Sequence, residues 1–174
     1  WIIDPLDGTT NFIHGLPNYA VSIALTQRGQ VTQAVIYDPS RNELFTASRG
    51  SGTFLNDRRV RVSGRTRYHE ALLGAHWPNS GDLEQGSARF RAMAEGSTGV
   101  RRLGATVLDL AYVACGRLDG FCGVGLKPWD LAAGSLMVLE AGGLVADFDG
   151  EQGWMDSGNV LAASPKIFTQ MLTA

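Results

Sequence analysis

Two aspartates three residues apart are the first candidates for chemistry, in the opening stretch WIIDPLDGTTNF, residues 1–12. The apolar residues before Asp4 predict the end of a buried strand, and Pro5 restricts Asp4 to an extended backbone. The sharp turn allows the carboxylates of Asp4 and Asp7 to converge on one point, which the carbonyl of Leu6 can also face. Mg²⁺ prefers such oxygen ligands, completed by water and substrate phosphate. The spacing therefore indicates a magnesium site.

The segment Gly8-Thr9-Thr10 follows this turn directly. Backbone N–H groups at a turn or helix start can seat a phosphate oxygen, and the Thr9 hydroxyl can hold a water. A structural alternative is that Asp4 and Asp7 close an Asx turn and cap a helix, which is common for aspartate. The locked proline, the paired charge and the glycine favour the functional interpretation.

Asp130 is the third candidate carboxylate, in the sequence KPWD just ahead of an apolar helix predicted over residues 129–143. Its side chain can belong to the same site as the first two aspartates. It can equally be the N-cap of the helix, since Asp is a favoured cap. The residues alone leave both roles open.

The elements that must position these groups follow from hydrophobic periodicity and turn residues. Strands are predicted over residues 19–27, 31–38 and 43–49, with shorter strands to residue 62, which together describe an antiparallel meander. From residue 68 the pattern alternates between strand and helix, with strands near 72–76, 119–125, 144–148 and 159–164, and helices near 86–95, 101–116, 129–143 and 165–172. We therefore expect an α/β (α+β) fold with two halves, 1–67 and 68–174.

Composition excludes several function classes. The chain of 174 residues has a net charge of −2, so no basic field indicates nucleic acid. No apolar run reaches the length of a membrane span. The two cysteines, Cys115 and Cys122, lack zinc-ligand spacing and are expected to be buried free thiols in a reducing, cytoplasmic compartment.

The two motifs WIIDPLDGTTNF and KPWDLAAGSLMVLEAGG together resemble the signature motifs of the inositol monophosphatase family, with the bacterial branch the most similar. The likeness extends through RNELFTASRGSG, RRLGATVLDLAYVACGRLDGF and GNVLAASP. It implies a layered αβαβα sugar-phosphatase fold and a magnesium-dependent, lithium-sensitive phosphomonoesterase. It also implies a cytoplasmic homodimer that acts on a small-molecule phosphate ester.

The resemblance also implies roles for individual residues. Asp4 would bridge two Mg²⁺ ions, the Leu6 carbonyl would bind one of them, and Asp7 and Asp130 would hold the other. Hydrolysis would then follow a two-metal route in which the ions clamp the attacking and leaving oxygens. The remaining implied contacts are phosphate binding by Gly8 and Thr9, water orientation by Thr9, and substrate binding by Asp7, Gly104, Ala105, Thr106 and Asp130.

Two departures from the family pattern bear on activity. A further metal-binding glutamate stands upstream of the first motif in the family, so we expect the N-terminal portion of the fold to be truncated here and magnesium binding by this chain alone to be weak. Gly123 stands where many inositol-specific relatives carry a glutamate that contacts a ring hydroxyl. The candidate substrates therefore include inositol monophosphate, other polyol or sugar phosphates, histidinol phosphate and nucleotide bisphosphates.

Two other functions compete with water-attack hydrolysis. An aspartyl-phosphate phosphatase places its nucleophile and acid two residues apart, whereas Asp4 and Asp7 are three apart. A non-catalytic binding or assembly protein on the same fold is the second. His14 is near the site in sequence, and a structural role is favoured for it because metal ions would already do the acid–base work; His69 and His76 show no partner spacing.

Overall fold

A computed structural model describes residues 1–78 and 83–173, with only the backbone described for 83–86. Eleven strands and six helices are present in these residues, together with a 3₁₀ turn at Tyr68–Glu70. The strands are β1 Ile2–Asp7, β2 Ala20–Gln27, β3 Gln30–Asp38, β4 Glu43–Ser48, β5 Gly52–Leu55, β6 Arg58–Val60, β7 Leu72–His76, β8 Gly99–Arg101, β9 Gly120–Gly123, β10 Leu144–Ala146 and β11 Val160–Ala163. The helices are α1 Thr9–Ile13, α2 Leu83–Gly96, α3 Thr106–Ala114, α4 Pro128–Glu140, α5 Trp154–Ser157 and α6 Pro165–Leu172.

The first sheet is the antiparallel meander that the sequence predicts, with its six strands in the order β1-β2-β3-β4-β5-β6. The β2–β3 hairpin shows why its register is fixed. Gln27 pairs with Gln30, and the two residues between them, Arg28 and Gly29, both have positive φ. This is the type I′ geometry that matches the twist of a two-residue hairpin.

The second sheet has the order β10-β11-β9-β7-β8 and mixes strand directions. β7 is parallel to both β8 and β9, while β11 is antiparallel to β9 and β10. Helix α2 connects β7 to β8, and helix α3 lies between β8 and β9. The carboxyl ends of β7, β8 and β9 therefore meet at one edge, where ligands of α/β sheets are commonly bound.

Helices α3 and α4 form a layer between the two sheets. Both helices are apolar nearly all round, which is typical of helices buried on every side. They approach closely at Gly134, where a Cβ would lie 2.5 Å from the Cβ of Leu110. A second apolar cluster joins the other face of the second sheet to α2 and α6 through Met93, Ile167 and Met171.

The order of layers is therefore sheet, helices, sheet, helices, and the chain has the α/β class expected from the sequence. The described residues form four of the five layers of an αβαβα arrangement. One core passes through α3 and α4 and includes residues of both sheets. The division into halves at residue 67 remains a prediction.

The sequence prediction of a buried strand before Asp4 is wrong for Ile3, whose residue surface is 52% exposed. The reason is that β1 is the edge strand of the first sheet and alternates its side chains between the two faces. Both cysteines are free thiols as expected, with Cys122 buried and Cys115 half-buried. Among the described helices, none is both long and apolar enough to span a bilayer.

Candidate active site

A local irregularity of β1 brings the first two aspartates to one side of the strand. Residues i and i+3 of a regular strand point to opposite faces. In the pairing of β1 with β2, however, Asp4 lies opposite Ser22 and Asp7 opposite Ala20, so two residues of β1 stand against one of β2. The extra residue is a β-bulge, which re-aims a side chain at the strand end. The Asp4 carboxylate also accepts the N–H of Leu6, at 3.1 Å.

Asp130 reaches the same place from the first turn of α4. Its carboxylate accepts the N–H of Lys127 at 2.8 Å, and Lys127 is the N-cap residue. The alternative in which Asp130 is itself the N-cap is therefore wrong, because Pro128 begins the helix two residues earlier. One carboxylate oxygen each of Asp4, Asp7 and Asp130 lie within 4.8 Å of one another. The structure thus brings together all three predicted carboxylates.

The cluster is electrostatically unfavourable without a cation. Burial, together with the neighbouring carboxylates of Asp130 and Asp4, raises the pKa of Asp7 to about 7, although N–H groups of Val107 and Gly8 oppose the rise. Burial and the charge of Asp4 also raise the pKa of Asp130. Like charges this close favour a proton or a metal ion between them. Three hard oxygen donors at this separation fit Mg²⁺.

Asp7 has a second contact that its sequence position does not predict. Its Oδ2 accepts the N–H of Val107 at 2.8 Å, and this N–H is one of the unpaired donors in the first turn of α3. The carboxylate therefore caps α3, not α1, whose N-cap is Gly8. This bond joins the end of β1 to the helix layer across 100 positions of the chain.

A second buried acid lies behind Asp7. Asp109 of α3 is 1% exposed, and its Oδ1 has no partner among the described residues. Burial first, and then the charge of Asp7, raise its pKa well above the usual range.

The turn after the aspartates places Thr9 and Gly8 beside the cluster. The Thr9 hydroxyl donates to the Leu6 carbonyl at 2.9 Å, so its oxygen retains lone pairs for a second partner. Gly8 has φ +83°, and a Cβ there would lie 2.8 Å from the carbonyl oxygen of Asn18. Only glycine fits this left-handed, crowded position without strain.

A cavity of about 440 Å³ opens in front of the carboxylates. Four of the predicted site residues line it: Asp7, Gly104, Thr106 and Asp130. Ala105, which was also predicted, is only 1% exposed and packs beneath Gly8. The lining residues that the sequence did not single out are Thr10, Asn11, Leu16, His76, Arg102, Leu103 and Leu126.

Asn11 fixes the loop that carries Gly104. Its side-chain amide donates to the carbonyls of Asn18 and Leu103 at 2.8 and 2.9 Å, and the amide of Asn18 donates to the same Leu103 carbonyl at 3.0 Å. Gly104 has φ +80°, and a Cβ there would lie 2.9 Å from the Asn11 amide. The only sequence signal for these hydrogen bonds is the asparagine itself, which directly follows Gly8-Thr9-Thr10.

Gly123 lies at the end of β9, where the space for a side chain is already filled. A Cβ at this position would lie 2.3 Å from Cδ1 of Leu126 and 2.9 Å from Cε1 of Phe121. Leu126 also lines the cavity. An apolar side chain therefore occupies the region next to the residue at which inositol-specific relatives were expected to carry a glutamate.

The two-sheet fold and the acidic cluster at its cavity define an α/β protein with a candidate divalent-metal site. The chain belongs to the inositol monophosphatase family, whose profile matches residues 1–174.

Relatives in this family are similar over the whole chain. It is 51% identical over 174 residues to the "Putative Nus factor SuhB" of Neisseria meningitidis, covering 99% of this chain and 67% of that protein. It is 50% identical over 176 residues to the "Inositol-1-monophosphatase" of Mesorhizobium japonicum, covering 100% of this chain and 66% of the relative. The chain therefore spans about two thirds of the length of these relatives.

Solved structures agree with this assignment. The extragenic suppressor protein suhB of Bartonella henselae superposes with a TM-score of 0.97 at 46% identity, over 98% of this chain and 66% of that one. The inositol monophosphatase of Anabaena superposes with a TM-score of 0.94 at 38% identity, over 99% of this chain and 72% of that one.

Proposed function

We propose that the protein containing this chain is a magnesium-dependent phosphomonoesterase that hydrolyses inositol monophosphate or a related small polyol or sugar phosphate. The observation that carries the proposal is the convergence of Asp4, Asp7 and Asp130 within 4.8 Å, two of which, Asp7 and Asp130, line a cavity. Family membership supports the reaction class. The apolar Leu126 beside Gly123 argues against a simple preference for inositol over other polyols.

The residues present fit the metal that the family implies. Asp4, Asp7, Asp130 and the Leu6 carbonyl would hold Mg²⁺, which when bound would supply positive charge against the phosphate and the departing alkoxide. The role of Asp130 as a ligand is compatible with its bond to the Lys127 N–H, since a carboxylate offers about four lone-pair sites.

The remaining steps belong to side chains and backbone of the chain. The Thr9 hydroxyl donates a hydrogen bond to the Leu6 carbonyl. The Thr9 oxygen is therefore suited to accept a hydrogen bond from the attacking water and to orient that water. The N–H groups of Gly8 and Thr9 would hold phosphate oxygens, and Gly104 and Thr106 would contact the leaving alcohol. Water supplies the hydroxyl that enters the phosphate, the ester P–O bond breaks, and the proton leaves with the alcohol.

Phosphate release by the full-length protein tests this proposal. A panel of inositol 1-phosphate, glycerol phosphates, histidinol phosphate and a nucleotide bisphosphate would be assayed with and without Mg²⁺. We expect metal-dependent turnover of at least one ester and a loss of about 100-fold or more in Asp130→Asn. Asp149→Asn makes the same chemical change at an exposed carboxylate and should retain activity. Absence of turnover on every ester would refute the proposal.

An acid-quench experiment separates water attack from a phosphoenzyme. With labelled substrate, we expect no label on the quenched protein, because both aspartates are committed to metal binding in this proposal. Label that is lost in Asp4→Asn would instead indicate an aspartyl-phosphate intermediate.

A binding or assembly role is the second candidate, favoured by similarity to proteins named "Nus factor SuhB". The exposed apolar side chains of Phe12 and Ile13 on α1 also suit a contact surface. If assembly is the function, Asp130→Asn should keep partner binding while Phe12→Ser loses it. We also propose a homodimer, which sedimentation velocity of the full-length protein would test.

A further inference from the structure

The cavity is lined by groups of opposite charge. Asp7 and Asp130 are acidic lining residues, while His76 and Arg102 also line the cavity. His76 ends β7, and Arg102 directly follows the last residue of β8. Because β7 and β8 are parallel neighbours, with Gly74 paired to Arg101, their carboxyl ends deliver both side chains to the same edge.

Arg102 is held in place by Trp77, the residue after β7. Its guanidinium donates to the Trp77 carbonyl at 2.8 Å and lies over the Trp77 ring, 4.9 Å from the ring centre. A stacked guanidinium keeps its charge and its fork of N–H donors in a defined orientation. Arg102 is an exposed residue, but its two contacts with Trp77 hold the cation in a defined orientation.

His76 contributes a neutral polar group beside this cation. Burial first, and then the charge of Arg102, lower its pKa, so the imidazole is uncharged near pH 7. A neutral imidazole offers one N–H donor and one acceptor nitrogen. The pair thus combines one cation with one neutral donor, a combination suited to an anionic oxygen group.

We propose that His76 and Arg102 form a subsite for a second anionic group, a carboxylate or a phosphate, carried by the alcohol part of the substrate. This inference rests on the proposed phosphomonoesterase function. Within the proposed range of small polyol and sugar phosphates, esters whose alcohol part carries a second anion, such as those of hydroxy acids or sugar bisphosphates, would then be preferred over esters that carry none. The reacting phosphate would lie at Asp7 and Asp130, and the second anion at His76 and Arg102 in the same cavity.

The distinction has an energetic basis. A carboxylate or phosphate adds Coulomb attraction to the guanidinium and can accept two parallel N–H bonds, so an anion gains more from Arg102 than a neutral hydroxyl does. The rival explanation is that Arg102 only packs against Trp77, in which case substrate charge would not matter. Matched substrate pairs separate these explanations.

The test compares kcat/KM of the magnesium-loaded, full-length protein within two pairs, at fixed free Mg²⁺. One pair is 3-phosphoglycerate and glycerol 3-phosphate, which differ by a carboxylate in place of a hydroxymethyl group. The other is fructose 1,6-bisphosphate and fructose 1-phosphate, which differ by a phosphate. We expect a preference of about tenfold or more for the anionic member of at least one pair, and the pair that shows it identifies the anion.

Variants assign the preference to the subsite. Arg102→Gln should lower the ratio of kcat/KM for the anionic member to kcat/KM for its matched partner about tenfold. His76→Ala should lower the same ratio about threefold. Arg101→Gln removes the neighbouring exposed charge and should leave the ratio unchanged. If thermal unfolding shows that Arg102→Gln is misfolded, Arg102→Lys, which keeps the charge but not the fork, should still lower the ratio.

The outcomes are distinguishable. Turnover with ratios near one in both pairs overturns the subsite but leaves the proposed function standing. An equal fall of the ratio in Arg101→Gln also overturns it, because the effect would then be general electrostatics. Absence of turnover on all four esters overturns the subsite, and the proposed function falls with it only if inositol 1-phosphate, histidinol phosphate and the nucleotide bisphosphate are not hydrolysed either.

Discussion

Replacing Asp7 by asparagine should stabilise the metal-free protein while removing its response to magnesium. The pKa of Asp7 rises from 3.8 to about 7 on folding, chiefly because of burial. At about 1.4 kcal/mol for each pKa unit, the ionised carboxylate costs the folded state about 4 kcal/mol. Because Asp7 opens onto the cavity, where water screens its charge, we expect about half of this, roughly 2 kcal/mol. Asparagine keeps an acceptor for the Val107 N–H but carries no charge.

The effect has a definite pH dependence. An acid whose pKa is raised by folding binds more protons in the folded state than in the unfolded state between the two pKa values. Stability of the wild-type protein therefore falls as the pH rises from about 4 to about 7, and then levels off. Asp7→Asn lacks this loss, so its advantage should be near zero at pH 4 and largest above pH 7.

Urea unfolding in EDTA at pH 4.5, 6 and 8 measures the difference, with Asp149→Asn as the control that changes an exposed carboxylate in the same way. In excess Mg²⁺ the wild-type protein should gain stability, about 2.7 kcal/mol at 100 times the dissociation constant, whereas Asp7→Asn should gain little. An Asp7→Asn protein that is less stable than wild type in EDTA at pH 8 would refute the reasoning, because capping of α3 would then outweigh charge repulsion.

Three further substitutions probe the supports of the site. Asn11→Ala removes two hydrogen bonds to the backbone carbonyls of Asn18 and Leu103, so the free energy of unfolding in urea should fall by about 1–3 kcal/mol and KM should rise. If neither value changes, these bonds do not hold the loop that carries Gly104. Gly8→Ala forces a Cβ to within 2.8 Å of the Asn18 carbonyl oxygen, and thermal unfolding should show a loss of about 1–3 kcal/mol. Glu43→Gln weakens a two-pronged ion pair with Arg117 far along the chain and should cost about 1 kcal/mol at low salt, less in 1 M salt, without changing KM.

The sequence predicts the elements that have strong periodicity. The hairpin β2–β3 has alternating side chains and a turn rich in positive-φ residues, and α4 has an unbroken apolar surface ended by Gly142. The sequence offers helix α1 only as an alternative to a turn after Asp7, because the helix has only five residues and no capping side chain. Its conformation depends on the tertiary bonds of Asn11, which local propensity does not encode. Strand β8 is shorter still, with three residues, and exists through its pairing with β7.

The site was predictable where one motif carries two candidate metal ligands, and less so where distant segments meet. The spacing of Asp4 and Asp7 indicates a metal, although not the bulge that aligns them. His76 and Arg102 showed no spacing signal, because 25 residues and helix α2 separate them. The signal that can locate such residues is topological: both stand at the carboxyl ends of adjacent parallel strands.

The bond between the Asp7 carboxylate and the Val107 N–H gives the backbone a natural reporter of the site. An ion that draws the three carboxylates together would immobilise this acceptor, so the amide proton of Val107 should exchange with deuterated solvent more slowly. The same ion would tie an edge strand to the central helices, and opening of either would then require its release. Metal occupancy of the three-carboxylate site would thereby determine how cooperatively the two sheets unfold.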